Sequence, residues 1–485
     1  AVDRWLAGSR SGLSGGIALP FAMALREYDL EPQRLALDVA SGAVDLALEA
    51  ELLREPDRRA AAEAEAARLA GIAIGAIDTD RTARRELQDL LGDPRRPWLG
   101  TTITAPDLDD ALDELADLVT AGYDLLRIEV PVGRELADRL HDAGIDVPQW
   151  HPRDRTDPAT SAAGSGELVG SDPAPTGSQR ALARLRRVAD GVAAERRGYV
   201  RLATAIPPLG VPEGAVVAAF ERVDLVEADP MAEIVAGGVD PDRSLADHAF
   251  ARRFHRRADT LVSIGPGPLV VAPDLASGLP ADAATRSGRA LALQLIGVAM
   301  ARADGIPADR VVVGAYPDWL AEESGATARI VAEVAVRRAL YPGCLIRFDE
   351  PTRPEADSPA AVAWPFVAAA AMAWAGQESL MMRRVHADRR QAGAEGRAAI
   401  GVGADFIAVW SAGPLGGAAE AHAAALVDAA LGTLDRIADL GWRAVVGDSP
   451  DQLDHGGAAP RALGGDAVAE RTESFDPLTA LDRTP

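Results

Sequence analysis

Lysine is missing from all 485 residues, and the 50 basic side chains are arginines throughout. No side chain here can therefore form the internal Schiff base that holds pyridoxal phosphate (PLP), and no P-loop lysine is available for a nucleotide. A GC-rich coding sequence accounts for the exchange of lysine for arginine. The chemical exclusion holds whatever its cause, and either chemistry would need a partner chain. Cysteine is nearly as scarce. Cys344 alone excludes an internal disulfide and any multi-cysteine zinc or iron–sulfur site, and fits a reducing, cytoplasmic compartment. Positive charge is in deficit: 50 basic against 73 acidic side chains leave a formal net charge of -23. That field repels phosphate backbones and anionic membranes and argues against a nucleic-acid or polybasic-lipid role. Long apolar runs are lacking too. The longest, Ala360 to Ala375, is alanine-rich and broken by Pro365. It falls short of the roughly 20 strongly apolar residues that cross a bilayer and reads as a buried helix. The start, Ala1 to Trp5, has no export-signal pattern. It is not methionine and reads as the inside of an element, which points to residues upstream.

What remains is a composition of 48% hydrophobic and 25% charged residues, able to bury a large core. The length suits two or three ordinary domains or one large barrel with additions. Residues 1–96 read as accessory helices, with apolar-patterned segments at Ile17–Arg26, Glu31–Ser41 and Asp57–Ile74. Pro94 and Pro97 punctuate the chain, and the rhythm changes to short apolar runs separated by helix-length segments. These runs are Trp98–Thr104, Leu125–Val130, Tyr199–Ala205, Val223–Glu227, Thr260–Ile264, Val311–Ala315, Cys344–Phe348 and Ser379–Met382. Parallel strands need crossover helices, so the alternation predicts a parallel sheet. Eight units over residues 97–400 fit a (β/α)8 TIM barrel better than the alternative, a doubly wound open sheet. Residues 401–485 read as a C-terminal extension, a periodic helix from Ala418 to Leu440 and then a surface-wrapping tail from Gly447. His151 to Ser178, rich in Gly, Pro, Ser, Thr and Asp, reads as a long loop, either a rim lid or disordered.

In such a barrel, chemistry gathers at the C-terminal ends of the strands. Polar residues placed there are Arg127 and Glu129, Glu227 and Asp229, Ser263, Tyr316 and Asp318, Arg347 with Asp349 and Glu350, and Arg383, Arg384 and His386. The planar guanidinium fork suits carboxylate or phosphate groups, and the carboxylates suit an amine or acid/base work. The competing reading is that several pair with one another around the rim. His248 and His255 are seven apart on one helix face, in arginine-rich surroundings that read as solvated rather than metal-binding. Gly265-Pro266-Gly267-Pro268 is a rigid turn and a weak phosphate-cradle signal. Gly401-Val402-Gly403 lacks the third glycine of a dinucleotide fingerprint, and the G-x-S-x-G match at Gly12-Leu13-Ser14-Gly15-Gly16 follows no strand-like run, so a hydrolase elbow has no support.

An ordered series of short stretches adds a family resemblance. Leu13-Ser14-Gly15-Gly16 runs to Ala43-Val44-Asp45-Leu46, then Tyr199-Val200-Arg201-Leu202, Pro212-Glu213 and Phe220-Glu221-Arg222-Val223-Asp224-Leu225. Gly305-Ile306-Pro307, Val313-Gly314, Tyr341-Pro342, Pro351-Thr352-Arg353 and Phe475-Asp476-Pro477 follow. In order and spacing these resemble the α subunits of the lysine 5,6-aminomutase family and, more distantly, ornithine 4,5-aminomutase. The resemblance implies a TIM barrel that pairs with a separate β subunit in a hetero-oligomer. The β subunit brings adenosylcobalamin on a D-x-H-x-x-G loop and supplies the lysine that tethers PLP. It implies a radical 1,2-amino shift on an amino-acid substrate. This chain contains neither lysine nor D-x-H-x-x-G, as an α-type subunit should.

The family's ligand contacts are only partly retained. Arg127 matches the first arginine and Arg347 stands at the lysine position. Val132 and Pro207 fall on two serines, Ala232 on a tyrosine, Gly237 on a second arginine and Gly267 on an aspartate. The resemblance implies Arg127 for the cofactor's phosphate or ring, and Ser263 at its strand end and Gly265 in the weak cradle turn are candidate cofactor contacts by position in the barrel. Arg347 is implied for a substrate carboxylate, and Glu129 and Asp318 for its amine. Two alternatives stay open: a cobalamin-dependent isomerase of the same fold without PLP or lysine specificity, and a non-catalytic barrel. A cobalamin-carrying partner separates the last from the others, and a PLP lysine on that partner separates the first two.

Overall fold

The structure is a computed structural model that describes residues 17–94, 96–103, 105, 108–128, 176–206, 211–231, 234, 241–265, 283–315, 326–349, 379–381 and 417–441. The described residues divide into two compact units, one reaching to Thr79 and the other beginning at Asp80.

The first unit is helical. Helices α1 (Ala18–Tyr28), α2 (Pro32–Ser41) and α3 (Leu46–Leu52) precede α4 (Pro56–Leu91), whose length crosses the division. Pro32 opens α2 where its missing N–H costs nothing, and Gly42 closes it at φ 83°, a conformation strained for other residues. The Asp45 side chain caps α3 by accepting from the Ala47 amide at 2.9 Å. Ala24, Leu25, Leu35, Val39, Val44 and Leu46 form one small core. The three helical segments expected here are present. The sequence reading passed over α3, which is too short to show a full apolar period.

The second unit is a closed barrel of eight parallel strands in chain order. They are β1 (Trp98–Ile103), β2 (Leu125–Ile128), β3 (Arg201–Ala205), β4 (Leu225–Glu227), β5 (Leu261–Ile264), β6 (Val311–Ala315), β7 (Leu345–Asp349) and β8 (Ser379–Met381). The ring closes through β1 and β8, with Trp98 opposite Ser379 and Gly100 opposite Met381. All eight expected strands are in place. Outside them lie α5 (Leu108–Ala121), α6 (Thr176–Arg196), α7 (Val211–Phe220), α8 (Pro241–Ala258), α9 (Ala283–Ala303), α10 (Ala326–Leu340) and α11 (Gly417–Leu440). Helix α6 starts at Thr176, inside the stretch read as loop. Among the described residues no helix is long and apolar enough to cross a membrane.

The interior is layered, as strand periodicity dictates. Trp98, Leu125, Ala203, Leu225, Leu261, Val312 and Leu345 form one buried apolar cluster, one residue from each of seven consecutive strands. Outside the strands, α11 seats on α9 and α10. Leu426 and Ala430 share a core with Leu291, Ala292 and Val336. A Cβ at Gly288 would lie 2.3 Å from the Ala429 Cβ, so the two helices cross almost in backbone contact.

The strand starts are tied by acid–arginine pairs. Asp124, just before β2, accepts from the Leu99 amide at 3.0 Å and pairs with Arg196. Asp224, just before β4, accepts from the Leu202 amide at 2.9 Å and from Arg186 at 3.0 Å. Arg84 of α4 donates to the carbonyls of Val223 at 3.1 Å and Asp259 at 2.7 Å. Arg201 pairs with Asp93 and lies 3.7 Å over the Trp98 ring. In this architecture that end of the barrel carries stability and the other carries chemistry.

Candidate functional site

Two residues beyond the apolar layer, the same inward face passes Gly100, Arg127, Ala205, Glu227, Ser263, Gly314 and Arg347. Each follows a member of the apolar cluster by one strand period, so the inward direction is fixed by the sequence itself. Register agrees, with Glu227 opposite Ser263 and Gly314 opposite Arg347. Three of the seven are charged and the other four are small. The layer therefore concentrates polar chemistry where bulky side chains are absent.

The charged three meet. Arg127 Nε donates to Glu227 Oε2 at 3.0 Å, and Arg347 Nη1 donates to Glu227 Oε1 at 2.6 Å. One carboxylate thus joins guanidiniums from β2 and β7 through β4, across the barrel. The Arg347 side chain is 4% exposed and those of Arg127 and Glu227 about a fifth. Burial, the largest single influence, pushes the Glu227 carboxyl up, but Arg127 and then Arg347 outweigh it. The group sits below the ordinary carboxylate range and is ionised at neutral pH. A buried Arg–Glu–Arg arrangement is a poor source of net stability, because desolvation consumes much of the attraction. What it fixes is geometry.

Of the residues named from the sequence, Arg127, Arg347 and Ser263 thus share one layer, with Ser263 3% exposed. Gly265 follows β5. Asp229 Oδ1 accepts from the Met231 amide at 2.9 Å and turns the chain after β4. Glu129, Tyr316, Asp318, Glu350, Arg383, Arg384 and His386 lie outside the described residues, as do Val132, Pro207, Ala232, Gly237 and Gly267. Outside them too are the segments read as the rim loop up to residue 175, the alanine-rich run of 360–375 and the tail.

Behind the ends of β5 and β6 lies a support that sequence reasoning missed. Gln294 of α9 donates to the carbonyls of Ile264 at 3.1 Å and Gly314 at 2.8 Å. Arg337 of α10 donates to Gln294 Oε1 at 3.1 Å and is paired with Glu333. A lone glutamine inside the apolar run ALALQLIGVAM was the available signal.

The histidine reading needs correction. His248 and His255 do share a face of α8, but both are 1% exposed, in contact with the core rather than with water. The arginines that suggested solvation belong partly to the helix's other faces, while Ala251, Phe254 and Ala258 line the buried side. Among the described residues no three metal-ligating side chains come together. Burial first, then His248 and Arg252, push the His255 ring down to about 3, and neither ring nitrogen has a hydrogen-bond partner among the described residues. The folded ring is neutral, whereas the unfolded one takes a proton below its ordinary 6.5. This contribution to stability is therefore complete above 6.5 and is lost as pH falls from 6.5 towards 3. The loss approaches about 1.4 kcal/mol per pH unit. His255→Leu should remove that one-proton slope, read by denaturant unfolding at a series of mildly acidic pH values. Parallel pH curves for the two proteins would refute it.

Comparison with known proteins gives these barrel features a context. Residues 175–357 match the family described as "D-Lysine 5,6-aminomutase TIM-barrel domain of alpha subunit". The chain is 22% identical over 344 residues to a protein of Acetoanaerobium sticklandii named lysine 5,6-aminomutase alpha subunit. That match covers 71% of this chain and 59% of the relative. It is also 22% identical over 343 residues to the protein of that name from Fusobacterium nucleatum, covering 70% of this chain and 59% of the relative. The matched region thus spans about three-fifths of the length of these relatives. Among solved structures, a dihydropteroate synthase from Anaplasma phagocytophilum overlaps with a TM-score of 0.37 at 10% identity. It covers 62% of this chain and 97% of that one.

Proposed function

We propose that this chain is the barrel-bearing, α-type subunit of an adenosylcobalamin-dependent and PLP-dependent aminomutase. It would act on an amino acid such as lysine and work in a hetero-oligomer with a β-type subunit that carries cobalamin on a D-x-H-x-x-G loop. The observation that carries the reading is the Arg127–Glu227–Arg347 cluster beyond the apolar layer of the barrel, in a chain similar to lysine 5,6-aminomutase α subunits.

The donor set fits part of PLP and leaves part to the partner. Two guanidiniums and the Ser263 hydroxyl are hydrogen-bond donors suited to a phosphate or carboxylate. No lysine is present to tether an aldehyde, so that bond belongs to the other subunit. When bound, the two cofactors supply the radical initiator and the electron-delocalising ring that an amino shift requires.

Everything else is the task of this chain. Arg127 binds the cofactor phosphate, and Ser263 with the Gly265 backbone supports it from the end of β5. Arg347 takes the substrate carboxylate. Glu129 and Asp318 are assigned to the substrate amine. The apolar layer beneath closes the base of the site to water, and the strands hold the charged groups in place before the ligand arrives.

Co-purification tests the reading. The chain should form a stable complex with a cobalamin-binding subunit, carry the red cobalamin absorbance, and shift an amino group between adjacent carbons only in that complex. Failure to associate with any cobalamin-binding chain, or turnover by the isolated chain, would overturn it.

A further inference from the structure

Glu227 stands out because it was not among the residues assigned a role, yet both guanidiniums of the site converge on it. Its two oxygens are divided between them, Oε1 to Arg347 at 2.6 Å and Oε2 to Arg127 at 3.0 Å. Those arginines come from β2 and β7, which are not neighbours in the sheet. Backbone register alone cannot fix the separation of two long side chains. A shared carboxylate can. The same carboxylate also occupies directions from which a phosphate or carboxylate would be bound.

We infer that Glu227 is a positioning residue that sets the orientation of Arg127 and Arg347 and, as an internal anion, competes with the ligand's anionic groups for them. The inference rests on the proposed site in one respect only, that Arg127 and Arg347 receive anions there. An arriving anion shares or displaces the Glu227 contacts, so part of the attraction is already spent inside the protein. In return the guanidiniums meet the ligand in one orientation.

Two opposed effects follow for Glu227→Gln, which keeps the shape and removes the charge. Inorganic phosphate, titrated into the full chain and followed by 31P NMR or calorimetry, should bind roughly tenfold more tightly, since the competing carboxylate charge shared by both arginines is gone. In the complex with its cobalamin-binding partner, KM should fall while kcat falls by roughly tenfold or more, because the guanidiniums are no longer held in place. Glu227→Asp restores the charge on a side chain one methylene shorter. It should return phosphate affinity towards the parent value while recovering only part of kcat. Circular dichroism confirms folding of each variant, and Glu227→Asp serves if the glutamine variant does not fold. Its phosphate affinity should then match the parent while kcat is reduced.

In a folded glutamine variant, phosphate affinity that is unchanged or weaker overturns the inference, as does a chain to which phosphate does not bind at all. If only the aspartate variant folds, a kcat equal to the parent's overturns it. The phosphate arm needs neither partner nor turnover. Tighter phosphate binding in the glutamine variant with no aminomutase activity in any complex would leave the role of Glu227 standing and sink the function proposed above. The reverse pattern would do the opposite.

Discussion

Asp224→Ala should lower the unfolding free energy by about 3–5 kcal/mol, the range for removing one partner of a buried ion pair. Asp224 and Arg186 are 3% and 2% exposed at the side chain, so water does not replace what is lost. Three donors converge on this carboxylate. Arg186 Nη1 donates at 3.0 Å and the Leu202 amide at 2.9 Å to Oδ2, and the Tyr199 hydroxyl donates at 2.7 Å to Oδ1. Burial and then the adjacent carboxylate push the Tyr199 phenol far above its ordinary range, so it stays a donor at every pH of interest. Alanine strands the Tyr199 hydroxyl and the Leu202 amide and takes from Arg186 its most buried carboxylate, leaving it Asp190 and the Val200 carbonyl. A loss of that size is a large fraction of the roughly 5–15 kcal/mol that holds a domain together. Denaturant unfolding monitored by circular dichroism measures it. Glu227 and both site arginines are untouched, so any protein that remains folded at low temperature should bind phosphate as the parent does. A destabilisation below about 1 kcal/mol would show that this end of the barrel is not held as described.

The same network explains why the fold was more legible than the site. Tyr199-Val200-Arg201-Leu202 and Phe220 through Leu225 carried much of the family resemblance, and they contain two of the three donors and the acceptor just described, together with Arg201 over Trp98. They mark the strand starts, where residues near in sequence are near in space. The barrel was readable for a related reason: each strand is a short apolar run, and eight of them between helix-length segments leave few topologies. The N-terminal helices were readable where the apolar period was long enough, and α3 was not. Glu227 illustrates the opposite case. Its place at a strand end was evident, but its partners sit 100 and 120 residues away, on strands set opposite it only by closure of the barrel. One-dimensional periodicity gives the face of a residue and says nothing of what lies across the interior. His255 was misread because arginine density along a helix is not arginine density on one face of it. Gln294 was overlooked because one polar residue in an apolar helix raises no motif.

On the proposed function, Arg127→Ala should abolish turnover in the complex with a cobalamin-binding subunit, by at least about 10²–10³-fold, while leaving the barrel folded. The magnitude is that of removing one preorganised donor from a site where charge must be held. Survival of the fold follows from the geometry. Glu227 is not stranded, since Arg347 still donates to its Oε1 at 2.6 Å, and Arg127 is partly exposed. The expected destabilisation is therefore about 1–2 kcal/mol, well below that of Asp224→Ala. The two variants form a contrast: one loses stability at the strand starts and leaves the Arg127–Glu227–Arg347 cluster intact, the other removes a member of that cluster at a much smaller cost in stability. Arg127→Lys should recover little, because an ammonium cannot present the planar fork that holds Glu227 and an anion together. Turnover is measured in the complex with the cobalamin-binding subunit, and phosphate binding on the chain alone. Unaltered turnover in a folded Arg127→Ala complex would remove Arg127 from the chemistry and return the cluster to the reading in which the charged groups of the rim merely satisfy one another.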